Sequence, residues 1–301
     1  MPGLRLFNEN DIPAVVALCN KHMEFDEITE VLLREKVLED PAYDPELIMV
    51  YEENNEMVGF IAGTTREIRG EKLGYVKLMV VARPHRRKGI GTALYRALEE
   101  KLNRLGMEKV RVYDVPFNYF MPGIDPRYTP GLSFFEVQGF TRFADTSNLT
   151  VDLQNQDFTT TEDEERLKAE GIEIRRATYD DREELMKFID ENFTLWRHEV
   201  SNAYNSIPVA IHIALLNGKI KAFSAHNGNN FGTGWFGPMG THPDLRGKGI
   251  GGILLKRCLQ DMKDWGLPRS IIPWVGPIRF YSYYANAVVE RVFWRYEKKL
   301  K

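Results

Sequence analysis

Apolar and polar residues follow two alternating patterns along the chain, and the same order of patterns occurs in each half. In the first half, short apolar runs predict strands at residues 4–7, 47–51, 58–64, 75–82 and 109–115. Apolar residues at helical spacing predict helices at residues 12–19, 28–38, 91–105 and 132–137. The second half predicts strands at residues 172–177, 209–216, 220–225, 235–241 and 270–275 and helices at residues 179–192, 253–265 and 278–284.

Each half is also predicted to end in antiparallel strands. Residues 140–143 and 149–153 are predicted to form a closing hairpin in the first half, and residues 288–300 supply the closing strands of the second. Hairpins at both ends of a unit that also contains helices indicate an α/β fold (α+β mixed sheet) rather than a doubly wound one. We therefore expect each half to be a mixed, mostly antiparallel sheet flanked by helices.

The chain has 301 residues, which suits two domains of about 150 residues each. Residues 154–170 are rich in threonine and acidic residues and contain few large apolar side chains, which is typical of a linker. The sequence therefore predicts an N-terminal domain over residues 1–153 and a C-terminal domain over residues 171–301, joined by this acidic linker.

The two halves share a short glycine-rich motif. Residues 86–91 read Arg-Arg-Lys-Gly-Ile-Gly and residues 246–251 read Arg-Gly-Lys-Gly-Ile-Gly, an offset of 160 residues (246 − 86). The same offset relates Val115 to Val275, near the end of the next apolar run. Because the spacing persists over some thirty residues, we interpret the chain as two copies of one domain.

Each motif follows an apolar strand and opens an amphipathic helix, where several backbone N–H groups have no intrahelical partner. The helix dipole adds partial positive charge there, so the motif suits a phosphate or pyrophosphate. Its glycines let a ligand approach the backbone. Cationic side chains are supplied by Arg86, Arg87, Lys88, Arg246 and Lys248. The alternative is that the glycines only shape a strand-to-helix turn and that the basic residues are solvated.

The motif does not match two well-known classes of phosphate-binding loop. It has neither the Walker pattern nor the complete Gly-x-Gly-x-x-Gly fingerprint. The observed pattern, Arg-x-x-Gly-x-Gly after an apolar strand, resembles the acyl-CoA-binding motif of the GNAT superfamily of N-acetyltransferases. The resemblance covers nearly the whole chain as two tandem GNAT domains. The tandem layout, with a better-equipped C-terminal half, is similar to that of the mycothiol synthases.

The resemblance implies that the chain binds acetyl-CoA or CoA, with the loop amides on the pyrophosphate and the preceding strand along the pantetheine arm. No metal is expected. In the first copy the implied cofactor-binding residues are Val80, Val81, Arg86, Arg87, Lys88, Gly89, Ile90, Gly91 and Thr92. In the second copy they are Met239, Thr241, Arg246, Gly247, Lys248, Gly249, Ile250, Gly251 and Gly252.

The resemblance also implies an aromatic–tyrosine pair on the helix after the fifth strand, where the tyrosine hydroxyl can protonate the leaving CoA thiolate. Phe280 and Tyr281 fit this pattern, so Tyr281 is the candidate general acid. The first copy has Phe134 and Phe135 instead, and Phe135 has no proton to give. The alternative is that Tyr281 is an ordinary helix aromatic packed in the core.

A general base is harder to identify from the sequence. Histidine as a residue type titrates near neutral pH, which suits His242, and His198 and Glu199 lie where substrate loops are usual. All three are candidates, and the alternative for His242, which immediately precedes Pro243, is that it is a surface residue. Aromatic residues that line a partly apolar acceptor pocket or belong to the core are Trp196, Tyr204, Trp235, Phe236 and Trp274.

The copies diverge after Val115 and Val275. Phe135 lies 20 residues after Val115, whereas Tyr281 lies 6 residues after Val275, so the first copy has 14 extra residues (20 − 6), roughly residues 116–130. This insert is rich in aromatic residues and prolines. It is predicted to be either a lid or pocket wall, or a packed loop that covers a domain interface.

Composition narrows the class of protein. Hydrophobic residues make up 43% and charged residues 28%, which is ordinary for a globular chain, and the net charge of −3 argues against nucleic acid as a partner. Cys19 and Cys258 fall in predicted helices of different domains and are expected to be buried free thiols. No leader pattern and no membrane span are recognised, so we expect a cytoplasmic location and no membrane partner.

We therefore expect an N-acetyltransferase that transfers an acetyl group from acetyl-CoA to a primary amine of a small molecule or peptide. The chemistry is expected in the C-terminal domain, where a strand N–H polarises the thioester carbonyl. One alternative is a non-catalytic acyl-CoA-binding regulatory protein, and another is a nucleotide-binding enzyme. The sequence specifies neither the acceptor nor the oligomeric state.

Overall fold

The structure is a computed structural model in which residues 3–300 are described. Its strands are β1 (Gly3–Leu6), β2 (Ile48–Glu53), β3 (Glu56–Ile68), β4 (Glu71–Val81), β5 (Lys109–Val112), β6 (Thr141–Asp152), β7 (Ile172–Arg176), β8 (Ile211–Leu216), β9 (Lys219–His226), β10 (Phe236–Thr241), β11 (Arg269–Ile272) and β12 (Val288–Lys299). Its helices are α1 (Ile12–His22), α2 (Glu30–Val37), α3 (Ile90–Arg104), α4 (Thr129–Val137), α5 (Thr161–Ala169), α6 (Arg182–Asn192), α7 (Arg197–Ala203), α8 (Ile250–Asp264) and α9 (Ile278–Ala285).

The chain divides into two compact units. Unit 1 consists of Met1–Thr146 together with Phe293–Lys301, and unit 2 consists of Ser147–Val292. This division differs from the boundaries predicted at the linker, because strand pairing assigns the end of the chain to unit 1. Residues 297–299 of β12 pair with β5, whereas residues 149–152 of β6 pair with β11.

Unit 1 is built on an antiparallel arrangement of β1, β2, β3 and β4, to which β5 is added in parallel. Helix α3 packs closely on this sheet because glycines lie beneath its leucines. A Cβ atom at Gly63 would lie 2.3 Å from Leu98, and one at Gly74 would lie 2.7 Å from Leu102. These glycines give α3 a flat surface on which its apolar face is buried.

Unit 2 repeats this plan with β7, β8, β9 and β10 as an antiparallel sheet. The first helical turn is fixed in the same way in both units. In unit 1 the Asp11 carboxylate accepts a hydrogen bond from the Asn8 amide, which fixes the turn that begins there. The same carboxylate accepts two hydrogen bonds of 2.8 Å from the Arg5 guanidinium. In unit 2, Asp181 receives two bonds of 2.7 Å from Arg175.

The predicted closing hairpins are wrong, because β6 and β12 are each one continuous strand. The polar residues 145–148 resemble a turn in sequence, but they lie within the continuous strand β6. Helix α7 is missed because Val200 and Ala203 are its only buried apolar residues. The predicted linker contains α5. Within residues 3–300, every helix is too short or too polar to span a membrane.

Candidate functional site

The two predicted loops have the same backbone conformation in the two units. A turn of 3-10 helix follows β4 and β10, and α3 or α8 then begins. The residue before each helix is a left-handed glycine, with φ of 86° at Gly89 and 81° at Gly249. Two residues earlier the backbone is left-handed again, with φ of 64° at Arg87 and 80° at Gly247. The sequence repeat is therefore a repeat of structure.

The start of each helix presents backbone N–H groups that have no partner within the helix. In α3 the first such bond runs from the amide of Ala93 to the Gly89 carbonyl at 2.9 Å, and in α8 the amides of Gly252 and Ile253 both donate to the Gly249 carbonyl, at 3.0 and 3.2 Å. A Cβ atom at either glycine would have no heavy atom within 4 Å. The amides before these bonds are therefore accessible to a phosphate oxygen.

The last glycine of each loop faces the interior of its unit instead. A Cβ atom at Gly251 would lie 3.3 Å from the ring of Phe280 and 3.4 Å from Met239. In unit 1, a Cβ atom at Gly91 would lie 3.3 Å from the ring of Phe134. The glycine lets the loop, the strand and the aromatic helix that follows meet without a gap.

The first arginine of each motif folds back onto the strand. Nε of Arg86 donates to the carbonyl of Val81 at 3.0 Å, and Nε of Arg246 donates to the carbonyl of Thr241 at 3.3 Å. The equivalent bonds hold the loop against the strand end in both units. These arginines therefore position the loop in addition to supplying charge.

The remaining basic residues lie at the surface of the loops. Arg87 and Lys88 are exposed, and Lys248 forms an ion pair of 2.5 Å with Glu170. An exposed pair of this kind contributes little to stability and can open when a stronger anion binds. All the predicted loop cations thus remain on the side of the helix start.

A gap opens beside the strand that leads into each loop. In unit 1, residues 73–76 of β4 pair with β5, but β4 continues to residue 81 without that neighbour. In unit 2, one isolated bridge joins Trp235 to Ile271, and β10 has no further pairing on that side among the described residues. Each strand therefore has an unpaired edge that leads to the glycine loop.

Alternation along β4 decides which of its groups face the gap. The amide of Ala82 donates to the Val58 carbonyl at 2.9 Å, and in an antiparallel ladder every second residue points the same way. The backbone N–H and C=O of Val80 therefore face β3 and not the gap. Met79 and Val81 face the gap, and Met79 takes the place that the 160-residue offset assigns to Met239.

The same reasoning applies to β10, because the amide of His242 donates to the Lys221 carbonyl at 2.8 Å. The polar backbone groups of Met239 and Thr241 therefore face the gap, as their prediction as cofactor residues requires. A bulge precedes them, since the register with β9 shifts between Phe236 and Met239. This bulge widens the gap at the end farther from the loop.

Helix α9 lies along the open edge of β10. The ring of Phe280 reaches Gly251, and the ring of Tyr281 lies 6.0 Å from that of Phe236 at the start of β10. The Tyr281 hydroxyl has no hydrogen-bond partner among the described residues. Burial raises the pKa of Tyr281 to about 12, so the phenol keeps its proton at neutral pH. In unit 1, Phe135 is fully buried among aromatic rings.

The candidate bases lie away from this edge. Nδ1 of His242 accepts the amide of Asp244 at 3.3 Å and caps the 3-10 turn at the loop end of β10. His198 and Glu199 lie on α7, and Glu199 is buried. The ring of Phe193, in the connection between α6 and α7, packs on β10, because a Cβ atom at Gly240 would lie 2.7 Å from it. The structure brings none of the three next to Tyr281.

Most of the predicted pocket aromatics belong to the core of unit 2. Tyr204, Trp235 and Phe236 are buried, and Trp196 stacks on Phe193 with ring centroids 5.1 Å apart. Trp274 has left-handed backbone with a φ of 48° and donates its amide to a side chain. For all of these aromatics except Trp274, the positions agree with the alternative that they belong to the core of unit 2.

A buried polar network in unit 2 is missed by the sequence analysis. The Asp261 carboxylate on α8 binds Nε2 of His212 at 2.8 Å, Nε2 of His226 at 3.1 Å and the guanidinium of Arg176 at 2.6 Å. Nε of Arg257 donates to Nδ1 of His212 at 3.1 Å. Nδ1 of His212 is therefore an acceptor, and its Nε2–H donates to the carboxylate.

Comparison of the copies would have revealed this network. By strand register, His226 takes the position of Gly63, and by the 160-residue offset Cys258 takes that of Leu98. The close glycine–leucine contact of unit 1 is thus replaced in unit 2 by polar side chains. The signal in the sequence for this network is His226, a histidine in an apolar strand at a position where the other copy has glycine.

The acetyltransferase (GNAT) family model matches residues 16–119 and again residues 172–282. No curated protein sequence matches the chain significantly.

Solved structures share the fold at low sequence identity. A glucosamine N-acetyltransferase region in a fungal multi-domain β-N-acetylglucosaminidase has a TM-score of 0.82 at 19% identity, over 99% of this chain and 38% of that one. The present chain therefore spans well under half of that protein. A GCN5-related N-acetyltransferase from Sphaerobacter thermophilus has a TM-score of 0.71 at 17% identity, over 99% of this chain and 95% of that one.

A tandem GNAT protein from the clavulanic acid biosynthesis pathway has a TM-score of 0.69 at 12% identity, over 100% of this chain and 99% of that one. At these identities the likeness concerns the fold, and the family matches supply the type of chemistry, which is acyl transfer. The repeated loop, the open strand edge beside it and the two matches to one family model agree. The chain belongs to the GNAT acetyltransferase family, with two tandem GNAT domains.

Proposed function

We propose that unit 2 transfers an acetyl group from acetyl-CoA to a primary amine of a small molecule or peptide. One observation carries the proposal. The glycine loop before α8, the unpaired edge of β10 and the protonated hydroxyl of Tyr281 lie along one strand, in the order in which an extended acyl-CoA presents its pyrophosphate, pantetheine and thioester.

The proposed donor site uses backbone groups for binding. The amides at the start of α8, with Gly247, Gly249 and Gly251, receive the pyrophosphate. The edge groups of Met239 and Thr241 pair with the pantetheine arm as an added strand does. Loop residues that surround the pyrophosphate are Arg246, Lys248, Ile250 and Gly252.

The proposed reaction is direct attack by the neutral amine on the thioester carbonyl. The nitrogen–carbon bond forms, and the carbonyl oxygen becomes an oxyanion that a backbone N–H of β10 stabilises. The carbon–sulfur bond then breaks, and the thiolate takes the phenolic proton of Tyr281. The proton released from the amine passes to water, and Tyr281 is reprotonated from solvent.

Free thiol released from acetyl-CoA, measured against a panel of primary amines, tests the proposal. We expect turnover with at least one amine, and we expect it to be lost in Gly249→Val, since valine does not tolerate the left-handed backbone at this position. Thiol release that is unchanged in Gly249→Val would place the reaction elsewhere. Tight CoA binding without turnover on any amine would instead support a regulatory acyl-CoA-binding protein.

A further inference from the structure

Tyr113 lies in the gap of unit 1, between the end of β5 and the unpaired part of β4. It follows β5 directly, and its amide donates to the carbonyl of Val76 on β4 at 2.8 Å. Its φ of 68° is left-handed, which is uncommon for a bulky side chain. The backbone thus turns at this residue, beside β4.

The Tyr113 side chain reaches the edge of β4 that is otherwise unpaired. Its hydroxyl lies 3.4 Å from the carbonyl oxygen of Met79, and its ring lies 6.2 Å from that of Phe135. Burial raises the pKa of Tyr113, so the hydroxyl remains a donor toward that carbonyl. The edge group that a pantetheine amide would need in unit 1 therefore already faces a protein hydroxyl.

Unit 2 has no hydroxyl at the position equivalent to Tyr113. Pro273 follows β11 as Tyr113 follows β5, and proline has no hydroxyl to donate. No described side chain donates to the carbonyl of Met239. Each unit thus has a tyrosine hydroxyl at only one of the two positions. Unit 1 has Tyr113 in the gap and Phe135 on its aromatic helix, whereas unit 2 has Pro273 after β11 and Tyr281 on its aromatic helix.

We infer that Tyr113 closes the gap of unit 1 to acyl-CoA, so that the whole chain binds one acyl-CoA, in unit 2. This inference rests on the proposed function of unit 2. The inference also explains why unit 1 binds no acyl-CoA although the amides of its loop keep the geometry of a phosphate site. The strand edge that leads to that loop is blocked.

Titration calorimetry of the full chain with CoA tests the inference by counting sites. We expect one site per chain, which Gly249→Val abolishes and the matched variant Gly89→Val leaves intact. Two sites, or one site that survives Gly249→Val and is lost in Gly89→Val, would overturn the inference. These measurements do not depend on any change at Tyr113.

Removal of the side chain should open the second site. Glycine tolerates the left-handed backbone, so Tyr113→Gly should raise the number of sites from one to two, and adding Gly89→Val should return it to one. Tyr113→Phe keeps the ring in the gap and should still bind one CoA. A folded Tyr113→Gly chain that gains no site would contradict the inference.

Failure of the proposed function gives a different result. A wild-type chain that binds no CoA would overturn the assignment of unit 2, whereas Tyr113→Gly would still be expected to gain one site that Gly89→Val removes. A gain that appears in Tyr113→Gly and also in Gly89→Val/Tyr113→Gly would show that the new site is not in unit 1.

Discussion

Tyr281 and Phe135 occupy equivalent helices, yet only Tyr281 carries a proton that a leaving thiolate could take. The ring of Tyr281 is held by Phe236 and Phe280, and its hydroxyl is left without a partner among the described residues. Packing thus fixes the ring and leaves the polar atom available, which is the arrangement expected of a general acid.

Tyr281→Phe should lower kcat by about 10²-fold, at the lower end of the usual range for general acid catalysis, because a thiolate is a fair leaving group. CoA affinity should stay nearly unchanged, since the loop and the β10 edge make the main contacts. Thiol release gives kcat and calorimetry gives Kd. Tyr284→Phe, on the same helix, is the matched control, and an equal loss there would argue against a specific role for Tyr281.

Gly252 is required by packing rather than by backbone conformation. A Cβ atom at this position would lie 2.3 Å from the ring of Tyr284, whereas unit 1 has Thr92 at the equivalent position. Gly252→Ala should therefore destabilise unit 2 by about 1–3 kcal/mol through overpacking. Denaturant unfolding measures the change, with Thr92→Ala as the control. A Gly252→Ala protein as stable as the wild type would contradict this reading of the contact.

At the scale of elements, the insert in unit 1 behaves as part of the core. Its residues Phe120, Met121 and Ile124 are buried in the main apolar cluster, and the amide of Ile124 donates to the Trp294 carbonyl at 2.9 Å. Within unit 1 these three residues of the insert are therefore part of the packed core.

Ile124→Ala should destabilise unit 1 by about 2–5 kcal/mol, because it leaves a cavity beneath the insert. Hydrogen exchange of residues 3–146 localises the effect. Val137→Ala, at a position that is 80% exposed, is the surface control. Unchanged protection in Ile124→Ala would mean that the insert is an outer loop that does not support the core.

The network around Asp261 makes the stability of unit 2 depend on pH. Burial alone would raise the pKa of Asp261, but hydrogen bonds from His212, His226 and Arg176 outweigh it and hold that pKa well below its ordinary value of 3.8. Burial also lowers the pKa of His212 below its ordinary value of 6.5, despite the hydrogen bond to Asp261. Both shifts mean that the unfolded chain binds more protons in acid than the folded one.

Unit 2 should therefore lose stability as the pH falls below 6.5, through His212, and lose more as it falls through 4, through Asp261. Four of the five tryptophans lie in unit 2, so tryptophan fluorescence follows its unfolding. In unit 1, Met49 occupies the position on β2 that His212 occupies on β8. His212→Met should therefore reduce the loss of stability between pH 7 and pH 5. An unchanged slope in that variant would show that other groups carry the effect.

At the scale of the whole molecule, the end of the chain completes the unit formed by its beginning. Residues 297–299 pair with β5, and Phe293 and Tyr296 are buried in the core of unit 1. A chain that ended at residue 153 would therefore lack a strand and two core aromatics of unit 1.

Deletion of residues 293–301 should unfold unit 1, since it removes both a strand and two core aromatics. Hydrogen exchange should show lost protection in residues 3–146, far from the deletion in sequence. Phe293→Ala should give a smaller loss in the same region, of about 3–5 kcal/mol. Protection that is retained in residues 3–146 after the deletion would contradict the assignment of this strand to unit 1.

The sequence by itself determined the duplication, most of the helices and strands, the two glycine loops and the family. These depend on local regularities, because helical and strand periods, glycine at left-handed positions and a fixed offset between copies are all visible in one dimension. The difference between Tyr281 and Phe135 was also visible, since it concerns residue type at matched positions.

Tertiary structure alone decided which residues meet. The ladder direction showed that Met79 and not Val80 faces the gap, and the turn at Tyr113 placed a hydroxyl against that edge. The assignment of the last strand to unit 1 and the histidines around Asp261 likewise join residues far apart in sequence. Such contacts depend on strand pairing and helix packing over long separations, which local patterns do not encode.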